Sequence, residues 1–209
     1  MVEKFRAQLK RWEREASVEA VLIKGTGEKA FCAGGDIRWL ADAARKDAGH
    51  ASGFFREEYR LNAAIHHLTK PYVALIDGIV MGGGVGVSVH GDFRVAGDRT
   101  LFAMPETGIG LFPDVGGGYF CRCFMAASGF ISRSPARAPK AADCMAAGVA
   151  THYTPTRQDG RSRSGSPRSL LRLARTRRYQ ILPRRLFGRP WPCAAQRYSP
   201  RDRGALPGA

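Results

Sequence analysis

The sequence predicts an α/β fold built around parallel strands. Three observations carry this. Two short runs, VEAVLIKG (Val18–Gly25) and PYVALIDGIV (Pro71–Val80), are apolar almost throughout and rich in β-branched residues, as strands buried on both faces are. Stretches with helical spacing of apolar residues lie before and between them. A glycine-rich loop follows each run, and a helical pattern begins just beyond it.

The elements follow in order. Val2 to Glu15 places Phe5, Leu9 and Trp12 on one helical face, with Lys, Arg and Glu on the other. VEAVLIKG is the first strand. FCAGGDI (Phe31–Ile37) reads as a glycine-broken loop, with Asp36 placed to cap a helix over IRWLADAARKD. A second helix covers roughly Ser52 to His67. PYVALIDGIV reads as one buried strand. VGVSVHGDFRVAG (Val85–Gly97) is first helix-like and then strand-like, and KAADCMAAGVATHYTP (Lys140–Pro155) repeats that order.

The net charge of +15 is unevenly placed. From Thr151 to Ala209 there are 14 Arg, no Lys and 2 acidic residues, so +12 belongs to that segment and +3 to the first 150 residues. The tail's Arg, Pro, Ser and Gly bias is that of a chain unable to form a packed core, and residues 156–209 are expected to be disordered. Such a tail would bind nucleic-acid phosphates without specificity, but it carries no RRM, KH or zinc signature. No apolar run approaches the ~18 residues of a membrane span. The charged N-terminus has no secretory h-region. Five cysteines without zinc spacing or an even count fit a reducing setting, and a cytoplasmic location is expected, with no metal site.

The two glycine loops, Ala33-Gly34-Gly35-Asp36 and MGGGVG (Met81–Gly86), are the candidates for chemistry. Three glycines together are costly in regular structure, each by about 0.5–1 kcal/mol relative to Ala. Unpaired N–H groups at a helix start point outward. Two such loops can aim two N–H groups at one oxygen, the geometry of an oxyanion hole. The same spacing also fits glycines that let crossing elements pack closely, and spacing alone does not separate the two. A dinucleotide fingerprint is excluded because Val87 breaks G-x-G-x-x-G, and a P-loop because no Gly-Lys-Ser/Thr follows. Glu106 after Pro105 and Asp114 after Pro113 sit where acids favour the first turn of a helix. His66, His67 and His90 show no base–nucleophile spacing and read as structural.

KAFCAGGDI, KPYVALIDGIVMGGGVGVSVHGDFRVA and LFAMPETGIGLFPDVGGGYF together resemble the crotonase (enoyl-CoA hydratase/isomerase) superfamily, and within it the 3-hydroxyisobutyryl-CoA hydrolases of valine breakdown. FREEY (Phe55–Tyr59) and AADCMAAGVATHY fit the same pattern. The resemblance implies a ββα spiral core, an acyl-CoA thioester substrate, no separate cofactor because CoA is part of the substrate, and often a homo-oligomer. By matching motifs, the oxyanion donors would be the N–H groups of Gly35 and Gly83. Gly34, Asp36, Gly82 and Glu58 would line the substrate. Hydratases carry a Glu two residues after the glycine triplet, and here that position is Gly86. The later acid is present as Glu106, and a further one stands at Asp114. That pattern resembles the hydrolases, with Glu106 as general base or nucleophile and Asp114 positioning the substrate hydroxyl and water. Enoyl-CoA hydration or isomerisation is the rival reaction. Lys70, Arg94 and the tail arginines are the candidate contacts for CoA phosphates, none singled out by the pattern.

The resemblance covers residues 1–120 and 140–155, a partial crotonase-like domain expected to be incomplete at both ends. The pattern lapses from Cys121 to about Pro139, resumes at Lys140 and is lost again in the tail. Changes of reading frame in a GC-rich coding sequence would produce this. Strand edges at the N-terminal side would then lack partners, and activity would be weak.

Overall fold

The computed structural model describes residues 1–123 and 138–156. The expected lapse around 121–139 and the Arg-rich tail concern residues that are almost wholly outside these ranges.

The architecture is α/β, with seven short strands in two parallel sheets among the described residues. The chain visits the sheets alternately. Strands β1 (Val21–Lys24), β3 (Tyr72–Ile76), β5 (Phe93–Ala96) and β7 (His152–Tyr153) form one sheet in that order. Strands β2 (Ala30–Cys32), β4 (Ile79–Met81) and β6 (Leu101–Ala103) form the other. Each step along the chain therefore adds one strand to each sheet, which is how a ββα spiral grows. Among the described residues, β1 and β2 are paired on one side only.

Two sequence expectations are corrected here. PYVALIDGIV is two strands in different sheets, broken at Asp77-Gly78. Gly78 has φ +91°, and a Cβ there would lie 2.8 Å from the Lys29 carbonyl oxygen, so the chain can turn between sheets only with glycine. FCAGGDI is not all loop, because its first residues belong to β2. Phe31 and Cys32 carry too little period to announce a three-residue strand.

Helix α1 (Val2–Arg14) buries Leu9 against α3 (Ala48–His66), where Leu61 and Ile65 are buried. Arg6 pairs with Glu57 at 2.7 Å, and the Lys70 ammonium donates to the Trp12 carbonyl at 2.6 Å, closing the end of α1. Helix α2 (Ile37–Lys46) starts at Asp36, whose carboxylate accepts from the Trp39 N–H at 3.0 Å. Helix α4 (Gly83–Val89) packs against β3 of the first sheet and β2 and β4 of the second, and the buried Tyr72 donates its hydroxyl to the Val87 carbonyl at 2.9 Å. A 3₁₀ turn (Pro105–Ile109), α5 (Gly117–Cys123) and α6 (Ala141–Ala146) complete the described elements.

Arg94 lies on β5 and is only 3% exposed. Its guanidinium donates to the carbonyls of Val149, Val89 and Gly91, the last at 2.9 Å. It joins the end of α4 to the approach of β7, so neither it nor Lys70 is placed as a free cation for phosphates. No helix among the described residues is long and apolar enough to cross a membrane.

Candidate active site

The two glycine loops meet. A Cβ built on Gly34 would lie 3.3 Å from the Met81 carbonyl oxygen and 3.5 Å from the Gly83 nitrogen. Gly82 stands at φ +52° just before α4, and Gly34 at φ +104° just before α2. Each is a left-handed backbone that side chains resist. The third glycine of the triplet has a different reason. A Cβ on Gly84 would sit 2.1 Å from the Cys32 carbonyl oxygen, because α4 crosses directly over β2. Both readings of MGGGVG therefore hold in part. Gly84 serves close packing, while Gly82 and Gly83 face an open pocket.

That pocket has a volume of about 380 Å³. All eight residues expected at the site line it: Gly34, Gly35 and Asp36 from the first loop, Gly82 and Gly83 from the second, Glu58 from α3, Glu106 from the 3₁₀ turn, and Asp114 beyond it. Ile37, Trp39, Phe54, Ile109 and Leu111 add an apolar wall, with Trp39 and Ile109 about half exposed at the rim. Among the described residues, no lysine, arginine or histidine lines it.

Two of the three inner carboxylates flank the Gly82-Gly83 step. A Cβ on Gly82 would lie 3.2 Å from Glu106 Oε1, and one on Gly83 would lie 2.5 Å from Glu58 Oε1. Glycine at these positions gives the acids room. Glu106 is 8% exposed, and its Oε2, like Asp114 Oδ1, is buried without a hydrogen-bond partner among the described residues. Burial pushes the Glu106 carboxyl above its usual range, and the nearby Asp114 adds to this. Asp114 is raised by burial as well. Glu58 is raised to about 7, by burial first and then by the charges of Asp114 and Glu106. Such crowding of raised acids in a cleft marks sites of proton transfer more often than structural pairs. Among the described residues no His, Cys, Asp and Glu cluster is arranged to hold a metal ion.

Gly86 gains a physical account. A Cβ there would fall 2.8 Å from Val115 Cβ and 2.9 Å from Asn62 Oδ1. The position at which hydratases present a carboxylate is filled from the other side by the Val115 side chain. Val115 is fully buried and stands at φ +43°, a strained backbone for a β-branched residue. Nothing in LFPDVGGG signals that the strained residue is the valine, since three glycines follow it. Asn62, one helical turn beyond Glu58 on α3, has both polar side-chain amide atoms buried without partners among the described residues. It was missed in the sequence because Asn on a helix face is ordinary. Asp36 lies at the rim with its carboxylate engaged in capping α2.

Residues 1–163 match the family Enoyl-CoA hydratase/isomerase. The chain belongs to this enoyl-CoA hydratase/isomerase (crotonase) family. Curated relatives include 3-hydroxyisobutyryl-CoA hydrolase, mitochondrial, of Gallus gallus, 54% identical over 153 residues, and that of Danio rerio, 55% identical over the same length. In each case the match covers 73% of this chain and 40% of the relative, so the chain spans about two fifths of those proteins. Among solved structures, a carnitinyl-CoA dehydratase from Mycobacterium thermoresistibile superposes with a TM-score of 0.67 at 44% identity, covering 74% of this chain and 45% of that one. An enoyl-CoA hydratase from Rhodobacter sphaeroides 2.4.1 superposes with a TM-score of 0.68 at 36% identity, covering 74% and 46%. The crotonase-type core expected from the motifs is thus shown. The relatives' names place those hydrolases in mitochondria and give the cytoplasmic expectation no support.

Proposed function

We propose that this chain carries the catalytic half-site of a 3-hydroxyacyl-CoA hydrolase acting on 3-hydroxyisobutyryl-CoA. The observation that carries the reading is the pairing of a blocked position 86 with a buried acid, Glu106, and a half-buried one, Asp114, in one pocket, each with a carboxylate oxygen unpartnered among the described residues. A hydratase needs two carboxylates straddling the double bond, and the Val115 side chain occupies the place of one. The relatives named as hydrolases support the same choice.

The residues take the following roles. The thioester carbonyl lies where the Gly34-Gly35 and Gly82-Gly83 loops meet, with the N–H groups of Gly35 and Gly83 as donors to the developing oxyanion. Glu106, with a raised affinity for protons, takes a proton from water or attacks the acyl carbon. Asp114 orients the substrate hydroxyl and the water, and Glu58 lies against the acyl group. The thiolate of CoA leaves, water cleaves the acyl–Glu106 anhydride where the attack is by the carboxylate and so restores Glu106, and the acid product departs past the apolar rim. No cofactor beyond the substrate's own CoA is required. Assembly into a homo-oligomer would follow the family habit, and turnover in this chain is slow if the pocket lacks a wall.

Two assays test the proposal side by side. Release of CoA thiol from 3-hydroxyisobutyryl-CoA, slow or fast, supports it. Hydration of a short enoyl-CoA without thioester hydrolysis, or no CoA release, overturns it.

A further inference from the structure

We infer that His90 is a positioning residue for Asp114: by holding the Val115 carbonyl, it fixes the turn that aims the Asp114 carboxylate into the pocket. This rests on the reading of Asp114 as a site residue given above.

His90 is the residue that ends α4, the helix whose first turn carries Gly83. Its Nε2–H donates to the Val115 carbonyl at 2.7 Å. The neighbouring backbone leaves no slack around the ring. A Cβ on Gly116, itself at φ +88°, would lie 3.1 Å from His90 Cε1. Two aromatic rings fix the imidazole edge-on, His66 at 6.5 Å and Phe120 at 6.4 Å between centroids. Burial pushes the His90 pKa down and the Arg94 charge adds to this, while the hydrogen bond to Val115 opposes it; the carbonyl partner, which can only accept, requires the proton on Nε2.

What the imidazole holds is strained. Val115 sits at φ +43° although β-branched, a conformation that persists only where its surroundings over-determine it. The Val115 side chain is wedged toward Gly86 and Asn62. The Asp114 carbonyl accepts from the Gly117 N–H at 2.6 Å, closing a tight turn. Tyr59 faces the same turn from α3, with its phenol against the Val115 and Gly116 backbone. Asp114 has one carboxylate oxygen buried without a partner among the described residues, and the carboxylate otherwise bonds its own backbone N–H, so its direction follows that backbone. It is set by the turn. One short helix thereby places both sides of the chemistry, the Gly83 N–H through its start and Asp114 through the residue that ends it.

The test compares His90→Leu, which removes the donor, with His90→Gln, which keeps an amide N–H at similar reach. His90→Phe repeats the first with a ring in place, should the leucine variant fold poorly. Two readouts are taken on the full chain: the Asp114 titration by carboxyl-carbon NMR, and CoA release from 3-hydroxyisobutyryl-CoA. The expected result for the donorless variants is an Asp114 titration moved down toward its ordinary range as the carboxyl gains water. With it, kcat falls about 10–100-fold at unchanged KM, with no further fall in an Asp114→Asn background. His90→Gln retains both. A lowered melting temperature with an unmoved Asp114 titration overturns the inference, as does an additive loss with Asp114→Asn. If the unaltered chain releases no CoA, the hydrolase reading fails, while the Asp114 titration still decides the role of His90.

Discussion

Glu58 offers a thermodynamic test that needs no substrate. Its carboxyl is buried on α3 beside two other acids and titrates at about 7 in the folded protein, against an ordinary 4.5. The folded state therefore holds a proton that the unfolded state has already released between those values. Where the folded state binds more protons, stability falls as pH rises. Each pH unit of displacement is worth about 1.4 kcal/mol. The window from 4.5 to about 7 then sets an upper bound near 3 kcal/mol, and water in the open pocket reduces it to about 2 kcal/mol. Glu58→Gln removes the charge and keeps the shape. At pH 5, just above the unfolded-state value, the variant and the parent should differ by less than about 1 kcal/mol. At pH 8 the variant should be more stable by about 2 kcal/mol, a melting temperature higher by roughly 4–8 °C for a chain of this size. Urea unfolding at the two pH values reads the difference directly. An offset that is the same at pH 5 and pH 8, or a variant less stable at pH 8, refutes the claim that Glu58 is held against its neighbours' charges.

Other outcomes follow from the same geometry. Gly86→Glu should destabilise the fold by at least about 1–3 kcal/mol through overpacking against Val115 and Asn62, and an enoyl-CoA hydration assay should detect no gain. Gly84→Ala drives a Cβ into the Cys32 carbonyl and should lower stability by a similar amount, whereas a packing-neutral result would show that α4 is free to lift from β2. Arg94→Leu leaves the Val149, Val89 and Gly91 carbonyls without their donor and should cost about 3 kcal/mol or more in urea unfolding.

The sequence made the site more legible than the fold around it. The glycine triplet by residue type, and Glu106 and Asp114 only through the family motifs that contain them, pointed to residues that line one pocket; by spacing the two acids read as ordinary first-turn residues. The split of PYVALIDGIV between two sheets was hidden, since Asp77-Gly78 reads as a minor break in an apolar run and only the sheet pairing shows its consequence. The short β2 strand escaped because three residues carry no measurable period. Val115, Asn62 and His90 were silent for another reason. Their roles come from what faces them across the fold: a glycine one helix away, an unfilled amide, a carbonyl 2.7 Å off. Arg94 and Lys70, candidates for phosphates in the sequence, are spent on backbone carbonyls.

The account turns on Glu106 acting on a thioester in this pocket. The most direct measurement is CoA release from 3-hydroxyisobutyryl-CoA by the chain and by its Glu106→Gln variant, with substrate binding followed in parallel. The account predicts that the variant still binds the thioester and loses hydrolysis by about 10²–10⁴-fold. Hydrolysis that survives Glu106→Gln unchanged would contradict it.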